Sequence, residues 1–258
     1  MVCVIEPHVR VTMDGPVAVA EMTSGRANAL DTALCRRIAE VFGELEAGPA
    51  RAVVLTGAGA MFSAGVDLIR ITEGGPAYVD EFLPALHAAF MAVFGSGLPA
   101  VAAVNGHAIA GGCILTSACD HRIMNADAGR IGVTELLVGV PFPVAATEIL
   151  RFAVGTHRLS GLIMSGQTFP AAEAVRLGLV DEAVSAARVL PRAVEVAGQF
   201  ARLHQPAVQQ ARRQIRGRVL EQITAQRAAD DAVRAIWRSP AGLEAIAGYV
   251  ARVLHRSE

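Results

Sequence analysis

Residues 53–68, VVLTGAGAMFSAGVDL, and residues 101–115, VAAVNGHAIAGGCIL, follow one plan. Each opens with an apolar run of strand length, turns at a polar residue followed by glycine, and passes through small residues. Each then reaches another glycine where helical periodicity begins. Buried strands alternating with helices imply an α/β core. Helix starts leave backbone N–H groups without intrahelical partners, and glycine lets another group approach that backbone closely. Two such turns facing each other would offer two N–H donors to one oxygen atom, the arrangement of an oxyanion hole. The competing reading is that both turns are packing devices only.

The segments around this pair agree with an α/β core. VRVTMDGPVAVAEM reads as a hairpin turning at Asp14-Gly15. From Asp31 the period becomes helical, with Leu34, Ile38, Val41, Phe42 and Leu45 on one face, Asp31 as N-cap and Gly48 as the stop. RAVVLTG, PAVAAVNG and DHRIM are expected strands, and a helix from about Pro76 to Phe94 is expected to bend near Pro84. Beyond residue 186 the pattern is helical throughout. Ten arginines face five acids from Arg202 to Glu258, which reads as a solvated helical face or a subunit contact before it reads as an anion site. Trp237, the single tryptophan, is assigned to helix packing.

Composition narrows the function classes. A formal net charge of -1 gives no reason to expect nucleic acid or an anionic membrane surface as a partner. No apolar stretch is read as approaching the roughly 20 residues that span a bilayer. The opening MVCVIEPHVR lacks the charged start and apolar core of a signal peptide. The scattered Cys3, Cys35, Cys113 and Cys119 make no disulfide framework, so a reducing, cytoplasmic location is expected. All 23 basic residues are arginines, so lysine Schiff-base chemistry is excluded and any bound phosphate must use arginine or backbone N–H groups. The cluster HAIAGGCILTSACDHR invites a metal reading. However, Cys113 and Cys119 are six apart, which fits no close paired spacing of structural zinc, and no metal is expected.

Taken together, MFSAGVDL and PAVAAVNGHAIAGGCILTSACDHRI resemble the signature segments of the crotonase superfamily, the enoyl-CoA hydratase/isomerase family. The resemblance continues through GRANALD, GRIGVTELLVGV and FAVGTHRLSGLIMSGQTFPAAEAVRLGLVDEAV, covering roughly residues 10 to 185. It implies a spiral of repeated ββα units over residues 1–185 and a helical C-terminal region, 186–258, used for trimerisation. It also implies a homotrimer or dimer of trimers that binds an acyl-CoA thioester, with no separate cofactor because CoA is part of the substrate. The oxyanion donors carried over by position are the N–H groups of Val66 and Gly111. Arg26 and Ala27 match the segment that meets the CoA moiety, and Ala64, Asp67, Leu68, Gly112, Ile114 and Phe142 match substrate-lining positions. Asp67 also reads as a helix cap, His107 as a structural hydrogen-bonding residue, and Arg70 beside Arg26 as a phosphate partner.

The same resemblance bears on the reaction. True hydratases of the family place two glutamates about the thioester. Here one position is held by Ile114 and the other by Glu135. Isoleucine neither accepts nor donates a proton. A single carboxylate suits transfer of a double bond from C3 to C2, in which one base takes a proton from C2 and returns it at C4. AGGC followed by an aliphatic residue, and IG shortly before the glutamate, resemble the Δ3,Δ2-enoyl-CoA isomerases. Two rivals stay open. One is a hydratase with a substitute acid, Glu73 or Asp80; the other is an acyl-CoA-binding protein without catalysis.

Overall fold

The computed structural model describes residues 3–5 and 8–254, with side chains from residue 8 to residue 253. The Cys3 side chain, and residues 1, 2, 6 and 7 of the opening segment read for a signal peptide, lie outside the described residues. After β1 (Cys3–Ile5), the hairpin β2 (Val9–Asp14) and β3 (Val17–Met22) turns with Gly15 at φ 57°. α1 (Thr32–Ala47) begins at Asp31, whose carboxylate accepts from Leu34 N–H at 2.8 Å, and ends at Gly48.

Three ββα units follow in succession. They are β4 (Ala52–Gly57), β5 (Met61–Ser63) and α2 (Leu68–Gly95); β6 (Ala100–Val104), β7 (His107–Ile109) and α3 (Gly111–Ala118); and β8 (His121–Asn125), β9 (Ile131–Gly132) and α4 (Glu135–Val138). The first strand of each unit joins one sheet and the second strand joins another. The large sheet has the order β1-β2-β3-β4-β6-β8-β11, closed by β11 (Glu182–Val184). The small one runs β10-β9-β7-β5, with β10 (Thr168–Phe169) antiparallel at its edge. Stacking these units gives the spiral that the resemblance implied.

The large sheet is apolar on both faces because both are covered. Val53 and Leu55 of β4 face the main core with α1 and α2. Ala52 and Val54 face α8 (Val189–Ala201), which lays Val189, Ala193, Val196 and Ala197 on the opposite face. α5 (Val144–Val154), α6 (Thr156–Ser165) and α7 (Ala171–Leu177) connect to β11, and α9 (Gln205–Ala225), α10 (Ala229–Arg238) and α11 (Pro240–Leu254) complete the chain. Ile223, Trp237 and Ile246 place these last helices in the main core.

Three expectations need amending. A further helical segment, Leu68–Gly74, precedes the expected helix: α2 breaks at Gly75 (φ 59°, ψ -150°) just ahead of Pro76, while Pro84 keeps helical backbone angles. The same helix is long and apolar enough by composition to cross a bilayer, yet Val79, Phe82, Leu86 and Phe90 are buried in the protein core. Nor are the C-terminal arginines all solvated. Arg216 is 3% exposed, donates to Phe94 O and Ala118 O at 2.7 and 2.8 Å, and pairs with Asp120, which Arg212 also meets. Two guanidiniums thereby fasten α9 to the ends of α2 and α3.

Candidate active site

The first turn is built by Asn28 and Ser63. Asn28 is wholly buried and left-handed (φ 46°), a conformation that asparagine tolerates better than most residues. Its amide donates to Met61 O at 3.0 Å, and its own carbonyl accepts from Ser63 Oγ at 2.8 Å. Ala64 N–H donates to Ala27 O at 2.9 Å. Beyond it, Leu30 pairs with Val66 as a short parallel bridge: Leu30 N–H donates to Gly65 O at 2.7 Å, and Asp67 N–H to Leu30 O at 3.0 Å. The Gly65–Val66 peptide therefore points its carbonyl at Leu30 and its N–H the opposite way, because the two groups of a trans peptide oppose each other.

At the second turn Ala110 is also left-handed (φ 51°, ψ -118°), and α3 has no side-chain cap. Ala110 O accepts from Ile114 N–H at 3.1 Å along the helix, so Gly111 N–H projects from the helix end. The two turns touch. A methyl on Gly65 would come within 2.7 Å of Ile109 O, and one on Gly112 within 2.8 Å of Ser63 O. The donors of Val66 and Gly111 thus stand on adjoining turns, with the positive end of α3 behind the second.

Glu135 reaches this place through the small sheet. β9 runs parallel to β7, Ala110 N–H donates to Gly132 O at 2.8 Å, and Glu135 opens α4 three residues later. The residue is 7% exposed, and its buried Oε2 has no hydrogen-bond partner among the described residues. Burial pushes its pKa up to about 8, against the pull of the Thr134 and Glu135 N–H groups. Burial first, and then the charge of Glu135, raise the Cys113 thiol of α3 to about 12. Among the described residues the other buried acids are engaged. Asp31 caps α1, and Glu148 is held by Arg151 at 3.1 Å.

The remaining candidates divide in two. Ile114 is fully buried in the first turn of α3, and Phe142 lies in the core after α4, while Leu68 is half-buried at the start of α2. Arg26 is exposed. It lines a hollow of about 460 Å³ with His8, Ala27, Arg70, Asp31 and Asp67. Asp67 does cap α2, accepting from Arg70 N–H at 3.1 Å, and Arg70 pairs with Asp31 at 3.2 Å. Asn28 and Ser63 were missed as site builders. A signal was present in the Asn of GRANALD, the residue type suited to a left-handed turn.

A family model described as Enoyl-CoA hydratase/isomerase matches residues 14–242. The chain is similar to the mitochondrial enoyl-CoA delta isomerase 1 of Rattus norvegicus, 32% identical over 183 residues that cover 70% of this chain and 63% of that one. It is similar to the same degree to the short-chain-enoyl-CoA hydratase of Clostridium acetobutylicum, 33% identical over 75% of each chain. The crystal structure of human mitochondrial Δ3,Δ2-enoyl-CoA isomerase superposes with a TM-score of 0.92 at 26% identity, covering 97% of this chain and all (100%) of that one. The spiral, the paired turns and the family match over nearly the whole length lead to one conclusion: the chain belongs to the enoyl-CoA hydratase/isomerase, or crotonase, family.

Proposed function

We propose that this protein moves a double bond from C3 to C2 of an enoyl-CoA, with Glu135 as the only proton carrier. The observation that carries the reading is the pairing of one buried, partly unpartnered carboxylate at Glu135 with isoleucine at 114. The N–H groups of Val66 and Gly111 receive the thioester oxygen. Ionised Glu135 removes a proton from C2, the electron pair moves into a dienolate whose oxygen charge the two donors hold, and Glu135 returns the proton at C4. The raised pKa suits this cycle, because a base that must give its proton back works best near the operating pH. No cofactor takes part. Arg26 and Arg70 hold phosphate groups of CoA in their hollow.

A hydratase would need a second carboxylate. Glu73 is exposed on α2, and Asp80 is paired with Arg238 at 3.4 Å, so neither position suggested by sequence offers a free buried acid. We read the assembly as a trimer or a pair of trimers in the cytoplasm, consistent with apolar surface at Leu137 and Met164; sedimentation equilibrium tests it.

The deciding experiment follows the ultraviolet absorbance of the conjugated thioester with a 3-enoyl-CoA and a 2-enoyl-CoA, for wild type and Glu135→Gln. The expected result is conjugation appearing from the 3-enoyl substrate, with kcat reduced ~10²–10⁴-fold in the variant. Loss of conjugation from the 2-enoyl substrate would identify a hydratase instead. Acyl-CoA binding without turnover of either substrate would identify a binding protein.

A further inference from the structure

We infer that α10 is a positioning element for Glu135, acting through Trp237 and Asp230. The inference rests on Glu135 being the proton carrier. The residues after α4 form a tight loop, Gly139 to Pro143, that is bonded to Glu135 itself: Gly139 N–H and Val140 N–H both donate to Glu135 O at 3.1 Å. The next residue is gripped from α10. Trp237 is 1% exposed, and its indole N–H donates to Pro141 O at 3.0 Å. Seven residues earlier on the same helix, Asp230 Oδ1 accepts from Val144 N–H at 2.8 Å. Positions seven apart lie on one face of a helix, so one side of α10 holds both ends of the Pro141–Val144 segment.

The two bonds are not ordinary packing. Pro143, the N-cap residue of α5, has no side-chain acceptor for the helix's first N–H groups, and Asp230 supplies one from another helix. Pro141 lacks an N–H, which leaves its carbonyl as its one backbone hydrogen-bonding group, and the buried indole uses it. α11 supports the same loop, where a methyl on Gly139 would come within 2.8 Å of Ala245 Cβ. The path from Trp237 to the backbone carbonyl of Glu135, the residue that carries the base, is therefore one hydrogen bond, one peptide step and a second hydrogen bond. Loosening it gives the Glu135 carboxyl room to move and lets water reach it; the titrating neighbour that feels the change is the Cys113 thiol.

The test titrates Glu135 directly, by isotope-edited infrared spectroscopy of protein labelled with ¹³C-glutamate, with Glu135→Gln subtracted to assign the band. Trp237→Phe keeps an aromatic ring and removes the donor. Asp230→Ala removes the acceptor, whereas Asp230→Asn keeps an oxygen there. The expected result is a midpoint near 8 in wild type and Asp230→Asn, moving down toward the ordinary carboxylate range in Trp237→Phe and Asp230→Ala. In the enoyl-CoA assay kcat should fall ~10-fold at unchanged KM, short of the hundredfold that a 1 Å misplacement can cost. A midpoint that stays near 8 in both folded variants overturns the inference, whatever happens to thermal stability. If Trp237→Phe does not fold, the Asp230→Ala and Asp230→Asn pair decides. Wild type inert toward a 3-enoyl-CoA, with the midpoint still moving, would sink the isomerase reading and leave the positioning role standing.

Discussion

The two turns that look alike in sequence present their N–H groups by different means. In the first, helix α2 is capped by the Asp67 side chain, and the donor is not at the helix end: Val66 N–H comes from an extended peptide whose other side is tied to Leu30. In the second, no side chain caps α3, and the donor is the helix's own first N–H, at Gly111, following a left-handed alanine. Capping satisfies the groups that a substrate oxygen would otherwise use. A helix end can serve stability or a ligand; α2 uses its end for a cap, and the proposed function gives the uncapped end of α3 to the ligand.

That comparison breaks if either donor proves idle. Replacing the Val66 or Gly111 amide by an ester, which deletes the N–H and keeps the side chain, should lower kcat ~10²–10³-fold at each position. An unaffected rate at 66 would leave Gly111 as the sole donor. The pH profile sharpens the assignment, since amide donors do not titrate in this range. Activity should rise with pH through about 8 as Glu135 ionises, and the ester variants should keep that inflection. Stability moves the other way. The folded carboxyl holds its proton up to about 8 and the unfolded one only to about 4.5, so its stabilisation is complete below 4.5 and lost as pH rises through 8. Denaturant titrations at several pH values should show this slope in wild type and not in Glu135→Gln.

The smallest effects separate the two helix ends. Asp67→Ala should cost about 1 kcal/mol of stability through loss of the cap. Ala110→Gly should be neutral or stabilising, by up to about 1 kcal/mol, because glycine adopts a positive φ without strain. Both are read from urea midpoints. If Ala110→Gly proves strongly destabilising, the left-handed residue is not under strain, and the second turn resembles the first more than its geometry implies.

Much of the fold was legible in short windows. The hairpin at Asp14–Val17, the Asp31 cap and the Gly48 stop rest on interactions spanning a few residues, and the strands at 52–57, 100–104 and 121–125 show as short apolar runs even though their pairing partners lie 20 or more residues away. Where partners are distant the reading failed or stopped short. Arg216 reads as surface charge because its partner Asp120 is 96 residues away. Leu68–Gly74 does not read as helix because it is short and runs into Gly74-Gly75-Pro76, where α2 breaks at Gly75. Asn28 gave a local hint, but the 33-residue span to Met61 hid what it holds.

By itself the sequence determined the two glycine turns, the single carboxylate at Glu135 and the isoleucine at 114, since residue identity and spacing are read directly from it. Only the tertiary structure decided how those residues are used. It brought Gly65 against Ile109, turned Val66 N–H away from Leu30, and took Glu135 out of water to raise its pKa to about 8. It also set α10 against the loop that carries that glutamate, with Trp237 bonded to a carbonyl 96 residues earlier. The physical reason is range. Turn and cap preferences act over a few residues and are written in order along the chain, whereas desolvation and the direction of an N–H depend on whatever distant segment packs alongside.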